Sequence, residues 1–261
     1  MKLHMLAFVP VALFGSCAIG LAYDLPPNSA AAVQEIAFDQ AVPMDEDYRS
    51  QFELCDTENI FRGVQLTGFR KCSGDKNNVE ALLKFPNGAI FFEAKMSLDI
   101  DGSWKACNSP GLSDLCPTWY TWPNLTGEAS FLDSDRIPFI VIPIAGPDLW
   151  KTEFRQKTGI KAGDFAIVVF NGHVVPAIVG DGGPFNKLGE ASNAVFKAVG
   201  KDRCLETNSD GHCTKYLDAS VESDVLYFVF PGSASTGITP ANALEMIKST
   251  AGQRFEGLKS H

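Results

Sequence analysis

Once its first residues are set aside, the sequence lacks any apolar run long enough for a membrane span. Met5 to Leu21 is apolar but broken by Pro10, Gly15, Ser16 and Gly20, and nothing later approaches the ~20 residues a span requires. Lys2 and His4 precede that run, and Gly20 and Ala22 offer the small residues a signal peptidase reads. Residues 1–22 therefore read as a secretion signal, cut between Ala22 and Tyr23. The polar end, Gly257 to His261, carries no lipid-anchor tail. Cys-x-x-Cys is missing and histidines number only four, His4 among them, which argues against a zinc site. Gly-x-Ser-x-Gly is missing as well, so His173 has no serine nucleophile to serve. Positive charge is scarce: 22 basic side chains stand against 31 acidic ones, a net charge of −9. That balance argues against nucleic acid or an anionic membrane as partner and suits a cationic ligand.

Among what is present, cysteine comes first. Of seven cysteines, Cys17 leaves with the signal, and Cys55, Cys72, Cys107, Cys116, Cys204 and Cys213 stay. An even set in an exported chain reads as three disulfides. The favoured pairs are Cys107–Cys116 and Cys204–Cys213, each a short loop-closing staple, which leaves Cys55–Cys72. Asn124-Leu125-Thr126 is an N-glycosylation sequon, in keeping with export. The remaining chain, about 240 residues, suits one domain, and a monomer is the default expectation. Residues 23–50 show no period and read as an irregular leader segment, with a single domain over 51–261.

Short apolar segments separated by Gly, Pro, Asn and Asp predict strands at Ala89–Lys95, Phe139–Pro143, Asp164–Phe170, His173–Val179 and Val225–Phe230. Asn171-Gly172 between two of them predicts a type I′ hairpin, since both residues tolerate positive φ. Ala191, Ala194, Val195, Ala198 and Val199 recur at helical spacing, with Gly200 as cap. A second helix is expected from Pro240 to Lys248, with Thr239 as N-cap. The balance is mainly β: a barrel or sandwich with a few short helices.

The residues with chemistry follow the hairpin. Its second strand exits through Gly180-Asp181-Gly182-Gly183-Pro184, and the chain then enters the Ala191 helix with Glu190 in its first turn. Two carboxyl groups thus flank one short loop, as a glycosidase needs: one to protonate the leaving oxygen, one to activate water or attack. Either acid also has an ordinary reading, Glu190 as a helix-dipole partner and Asp181 as a turn residue. Asp99 and Asp101, alternating at a strand end, read as contacts for a cationic sugar or as turn chemistry. Asp-x-Asp-Gly lacks the further ligands of a calcium loop, so neither metal nor cofactor is expected. Asp133 and Asp135 divide evenly between the two roles, and Asp164 reads as a strand cap. Trp104, Trp119, Trp122 and Trp150 offer sugar-stacking faces or ordinary packing.

Several blocks, in order, resemble the fungal chitosanases of glycoside hydrolase family 75. They are Phe92 to Gly102, Pro138 to Pro143, Gly163 to Phe170, Gly180 to Pro184, Leu188 to Ser192 and Phe228 to Gly232. The resemblance implies a secreted endo-chitosanase that inverts configuration, a barrel of double-psi type, and an essential acidic pair at Asp181 and Glu190. Chitosan would be the partner. Acid and base stay unassigned between the two: a helix dipole at Glu190 favours the base role, whereas analogy with other glycosidases makes Glu190 the proton donor. Two alternatives stand beside this reading. One is a hydrolase of another wall polysaccharide, the other a non-catalytic secreted polysaccharide-binding protein.

Overall fold

The computed structural model describes residues 23, 25–27, 29–44, 48–66, 81–145, 153–184 and 187–259. Near its start lie helix α1 (Ala31–Gln34), strand β1 (Val42–Pro43) and helix α2 (Tyr48–Glu58), followed by the small ribbon β2 (Ile60–Phe61) and β3 (Val64–Gln65). Next come β4 (Ala81–Lys84), β5 (Ile90–Asp99), α3 (Trp104–Asn108), β6 (Phe139–Ala145) and α4 (Glu153–Thr158). The hairpin strands are β7 (Phe165–Phe170) and β8 (His173–Pro184), and β9 (Glu190–Ser192) leads into α5 (Asn193–Ala198). A second ribbon, β10 (Cys204–Thr207) with β11 (Cys213–Tyr216), precedes β12 (Val221–Val229) and helix α6 (Ala243–Glu256).

Six of these strands close into a ring. The order is β5-β12-β7-β8-β6-β9, and β9 pairs back onto β5. The expected mainly β barrel with short helices is what the chain forms. β4 and β1 extend the sheet beyond β5. Closure rests on one short segment: β9 runs parallel to β5 (Ser97↔Glu190, Asp99↔Ser192) and antiparallel to β6 (Val141↔Glu190). A closed sheet leaves no ring strand with a bare edge, which removes a route to aggregation.

Apolar alternation dresses both faces of the sheet. Phe92, Met96, Ile140, Val168, Val179 and Tyr227 belong to one core cluster. Phe91, Phe139, Phe165, Ile167 and Phe228 belong to another, which α6 joins through Ala243, Ile247, Ala251 and Phe255. Residues 29–43, read from sequence as irregular, supply Val33, Ile36 and Phe38 to this second cluster. Tyr23 adds its ring against Phe38 and Phe91, at 4.9 and 5.0 Å between centroids.

The hairpin turn follows expectation: Asn171 and Gly172 have φ of 48° and 80°, the pair of positive values a type I′ turn requires. Three other expectations need correction. β8 does not stop at Val179 but continues to Pro184, so Asp181 sits inside a strand. The helix expected from Ala191 starts at Asn193, because Glu190 to Ser192 are claimed by strands on both sides. Glu190 therefore sits at no helix N-terminus, and the dipole argument for its acidity lapses. Lastly, Thr239 does not cap α6. Its N–H and hydroxyl both donate to Asn242 Oδ1, at 2.7 and 3.0 Å, in a turn that precedes the helix.

Cys107–Cys116 and Cys204–Cys213 are formed. Each closes a short loop, the kind of constraint that contributes roughly 2–3 kcal/mol. Cys55 is disulfide-bonded, while Cys72 falls outside the described residues, as do the proposed signal, Trp150 and Phe185.

Candidate active site

Asp181 reaches its place through a bulge. β8 runs parallel to β6 with Ile140 facing Val179 and Val141 facing Asp181, so Gly180 is the extra residue on its strand. The glycines around Asp181 are there for want of space. A Cβ on Gly180 would lie 2.5 Å from Phe139 Cβ, and one on Gly182 would lie 2.0 Å from Ile144 Cδ1. At Gly183 the obstruction is Glu190 itself, with Oε2 at 2.7 Å from such a Cβ. Sequence reading placed these glycines at the strand's exit; they lie within it and form the floor on which side chains of β6 and β9 rest.

Glu190 is delivered by the seam. Gly189 adopts φ +83°, and a Cβ there would lie 2.1 Å from the Lys95 carbonyl oxygen. Only glycine lets the chain pass so near β5, where Ser97 N–H donates to Gly189 O at 2.8 Å. Asp181 and Glu190 are thus both register partners of Val141, one on each side of β6. Two inter-strand steps separate their Cα atoms by ~9.6 Å. The Glu190 side chain leans toward Gly183, two residues or ~6.6 Å along β8 from Asp181.

Both carboxyl groups line a cleft of about 310 Å³ together with Asp99, Asp101 and Leu98. Oxygens of Asp99, Asp101 and Asp181 lie within 4.8 Å of one another. Asp181 Oδ1 accepts N–H bonds from Trp119 (2.9 Å) and Gly182 (2.7 Å). Asp101 N–H donates to Asp99 Oδ1 at 2.7 Å.

Burial raises the affinity of every one of these acids for protons. For Asp181 the rise is countered by the N–H groups of Gly182 and Trp119 and by a hydrogen bond from Asp101. Burial also raises Glu190, against the pull of the Lys187 and Lys95 cations. Lys187 Nζ stands 3.9 Å from Glu190 Oε1. Asp99 is pushed up to about 8 by burial and by the charge of Asp181. Asp101 is pushed up to about 10 by burial, then by Asp99 and Asp181.

The structure thus gathers all four acids singled out from sequence into one cleft. It does not bring Asp133 or Asp135 there. Asp135 instead accepts from Asn193 Nδ2 (2.8 Å) and Tyr216 Oη (2.7 Å). Asp164 bonds the N–H groups of Lys161 and Ala234, ahead of β7, in a strand-capping role. Among the tryptophans, Trp119 touches the site through its backbone N–H, with the Arg155 guanidinium 5.4 Å from its ring centroid. Trp104 stacks on His212, and Trp122 is buried. Asn124 is exposed at positive φ. Sequence reading missed Trp119 N–H and Lys187. The first is 62 residues from its acceptor and left no signal; the second lay in view, three residues before Glu190.

Comparison with known families supplies the identity of the scaffold. The model for "Fungal chitosanase of glycosyl hydrolase group 75" matches residues 96–258, well over half of the chain. The chain belongs to this family. It is accordingly a glycoside hydrolase of the chitosanase class, with chitosan as the substrate the family implies. All four acids of the cleft lie within the matched span. No curated protein matched the chain.

Proposed function

We propose that the protein is a secreted endo-chitosanase that hydrolyses β-1,4 bonds between glucosamine units with inversion, using Asp181 and Glu190. The observation that carries this reading is the shared cleft in which the two acids flank Val141, one from each neighbouring strand. Inverting glycosidases keep their carboxyl groups ~6.5–9.5 Å apart so that water fits between, whereas retaining ones hold them near ~5 Å. Strand spacing across β6 and the lean of Glu190 toward Gly183 agree with the wider arrangement.

Environment divides the roles. Glu190 is the acid: burial favours its protonated form, and a protonated carboxyl is what the leaving oxygen requires. Asp181 is the base: burial raises it too, but two backbone N–H donors and Asp101 pull back toward its anion. In the reaction Glu190 passes its proton to the glycosidic oxygen as the bond to the anomeric carbon breaks. Water attacks that carbon from the opposite face and gives its proton to Asp181. Solvent then returns a proton to Glu190 and takes one from Asp181. An acid-lined cleft in a chain of net charge −9 suits a polymer that carries ammonium groups. Secretion accords with the apolar leader and with two disulfides, which persist in oxidising compartments.

The test incubates purified protein with chitosan, chitin and cellulose, following reducing ends, product length and the anomer first released. Oligomers from chitosan that emerge as the α-anomer are expected. Release of the β-anomer would refute inversion, and binding without release would refute catalysis.

A further inference from the structure

Building on the base role assigned to Asp181, we propose that Asp101 is a positioning residue: a neutral carboxylic acid that hydrogen-bonds to Asp181 and holds it ionised and aimed. The geometry crowds three acids together. Oxygens of Asp99, Asp101 and Asp181 lie within 4.8 Å of one another. Among the described residues, no Lys or Arg forms an ion pair with any of the three. Like charges so close cannot all ionise.

Which acid carries a proton follows from the donors around each. Asp181 has the N–H groups of Trp119 and Gly182, and Asp99 has the N–H of Asp101. Among the described residues no backbone N–H reaches the Asp101 carboxyl, so it gains least from being charged. Its hydrogen bond with Asp181 favours the anion on Asp181, against the burial that raises it, and favours the proton on Asp101. The groups facing this cluster are Asp99 from β5, Asp181 from β8 and Glu190 from β9, with Lys95 and Lys187 acting on Glu190.

Asp101 is also held firmly enough to position a neighbour. Gly102 adopts φ +71°, where a Cβ would lie 1.9 Å from the Leu132 carbonyl oxygen. Its N–H donates to Leu115 O at 3.0 Å, and Ser103 N–H donates to Ile100 O at 3.0 Å. Ser103 then caps α3 by accepting from Ala106 N–H, and Cys107–Cys116 ties that helix down. A neutral acid kept protonated to serve as donor is a recognised way to steady an anion in an active site.

The experiment compares Asp101→Asn, which keeps an N–H donor but cannot ionise, with Asp101→Leu, which has no donor. Both are assayed on chitosan from pH 4 to pH 8 (a range set by about the carboxylate pKa values at issue). Asp101→Asn should keep kcat within about 3-fold. Asp101→Leu should lose about 10–150-fold in kcat, the usual effect of one hydrogen bond to a charged group, with KM changed less than about 3-fold. The same loss raises the pKa of Asp181, so the acidic limb of its pH profile should move up by about one to two pH units. A folded Asp101→Asn that loses more than about 10-fold overturns the proposal even where Asp101→Leu does not fold. An unmoved acidic limb in Asp101→Leu does so too. So does activity lost to a chelator and restored by Ca²⁺ or Mn²⁺, since a cation would then hold the cluster. Asp181→Asn, run alongside, separates the two levels: if it stays active, the base assignment fails whatever Asp101 does.

Discussion

Two Asp-x-Asp turns in this molecule begin alike and end differently. In Asp99-Ile100-Asp101 and in Asp133-Ser134-Asp135, the second N–H donates to the first carboxyl, at 2.7 and 2.9 Å. Around the second turn stand the complements an acid wants: Arg136 at 3.3 Å from Asp133, then Asn193, Tyr216 and, at 3.9 Å, Lys197 on Asp135. Around the first turn stand further acids, Asp181 and Glu190, in an open cleft. The first arrangement costs stability and stores the means of moving protons; the second stitches α5 and β11 to the loop ahead of β6. What sets the first turn apart is that, among the described residues, no cation pairs with its two acids.

Substitution can break that contrast. The largest effects belong to Asp181→Asn and Glu190→Gln, each expected to lower kcat by roughly 10²–10⁴-fold, the typical share of one acid or base. Circular dichroism should show both folded; near-normal turnover in either would remove that residue from the chemistry. Next is Asp135→Ala, which removes the acceptor of the Tyr216 hydroxyl and one of the two acceptors of the Asn193 amide, leaving Asp202. It should cost about 2–4 kcal/mol in denaturant unfolding, while kcat per folded molecule stays within about 3-fold of the parent. If instead activity falls and stability holds, the second turn belongs to the active site after all.

A further effect is in pH. Asp99 and Asp101 hold protons to about 8 and about 10, against 3.8 for an ordinary aspartate. Folded pKa values above unfolded ones mean that the folded state binds more protons, so stability falls as pH rises through that interval. The melting temperature should therefore drop between about pH 5 and pH 9, and less steeply in the Asp99→Asn, Asp101→Asn double variant. A slope equal in both would show that these two groups titrate normally.

Much of this was legible in the residues. Alternation marked five of the ring strands, Asn171-Gly172 marked their hairpin, and cysteine spacing marked two staples. All four cleft acids could be named. Less visible was what lies between distant segments. Glu190 to Ser192 look helical because Ala191, Ala194, Val195 and Ala198 keep helical spacing, yet parallel pairing with Ser97 to Asp99 overrides that preference. The glycines flanking Asp181 look like a loop, since nothing local announces that Phe139, Ile144 and Glu190 will press on them. The two Asp-x-Asp turns are indistinguishable until their neighbours are known. Tertiary context decides each case.

One consequence of the β9 seam reaches beyond geometry. The three residues that shut the ring also present Glu190, the proposed proton donor, hydrogen-bonded to one strand on each flank. The enzyme has no way to breathe apart at this joint and stay armed. Residual turnover is therefore a gauge of whether the ring is shut, and an engineer wishing to widen substrate choice must work on surfaces away from the joint.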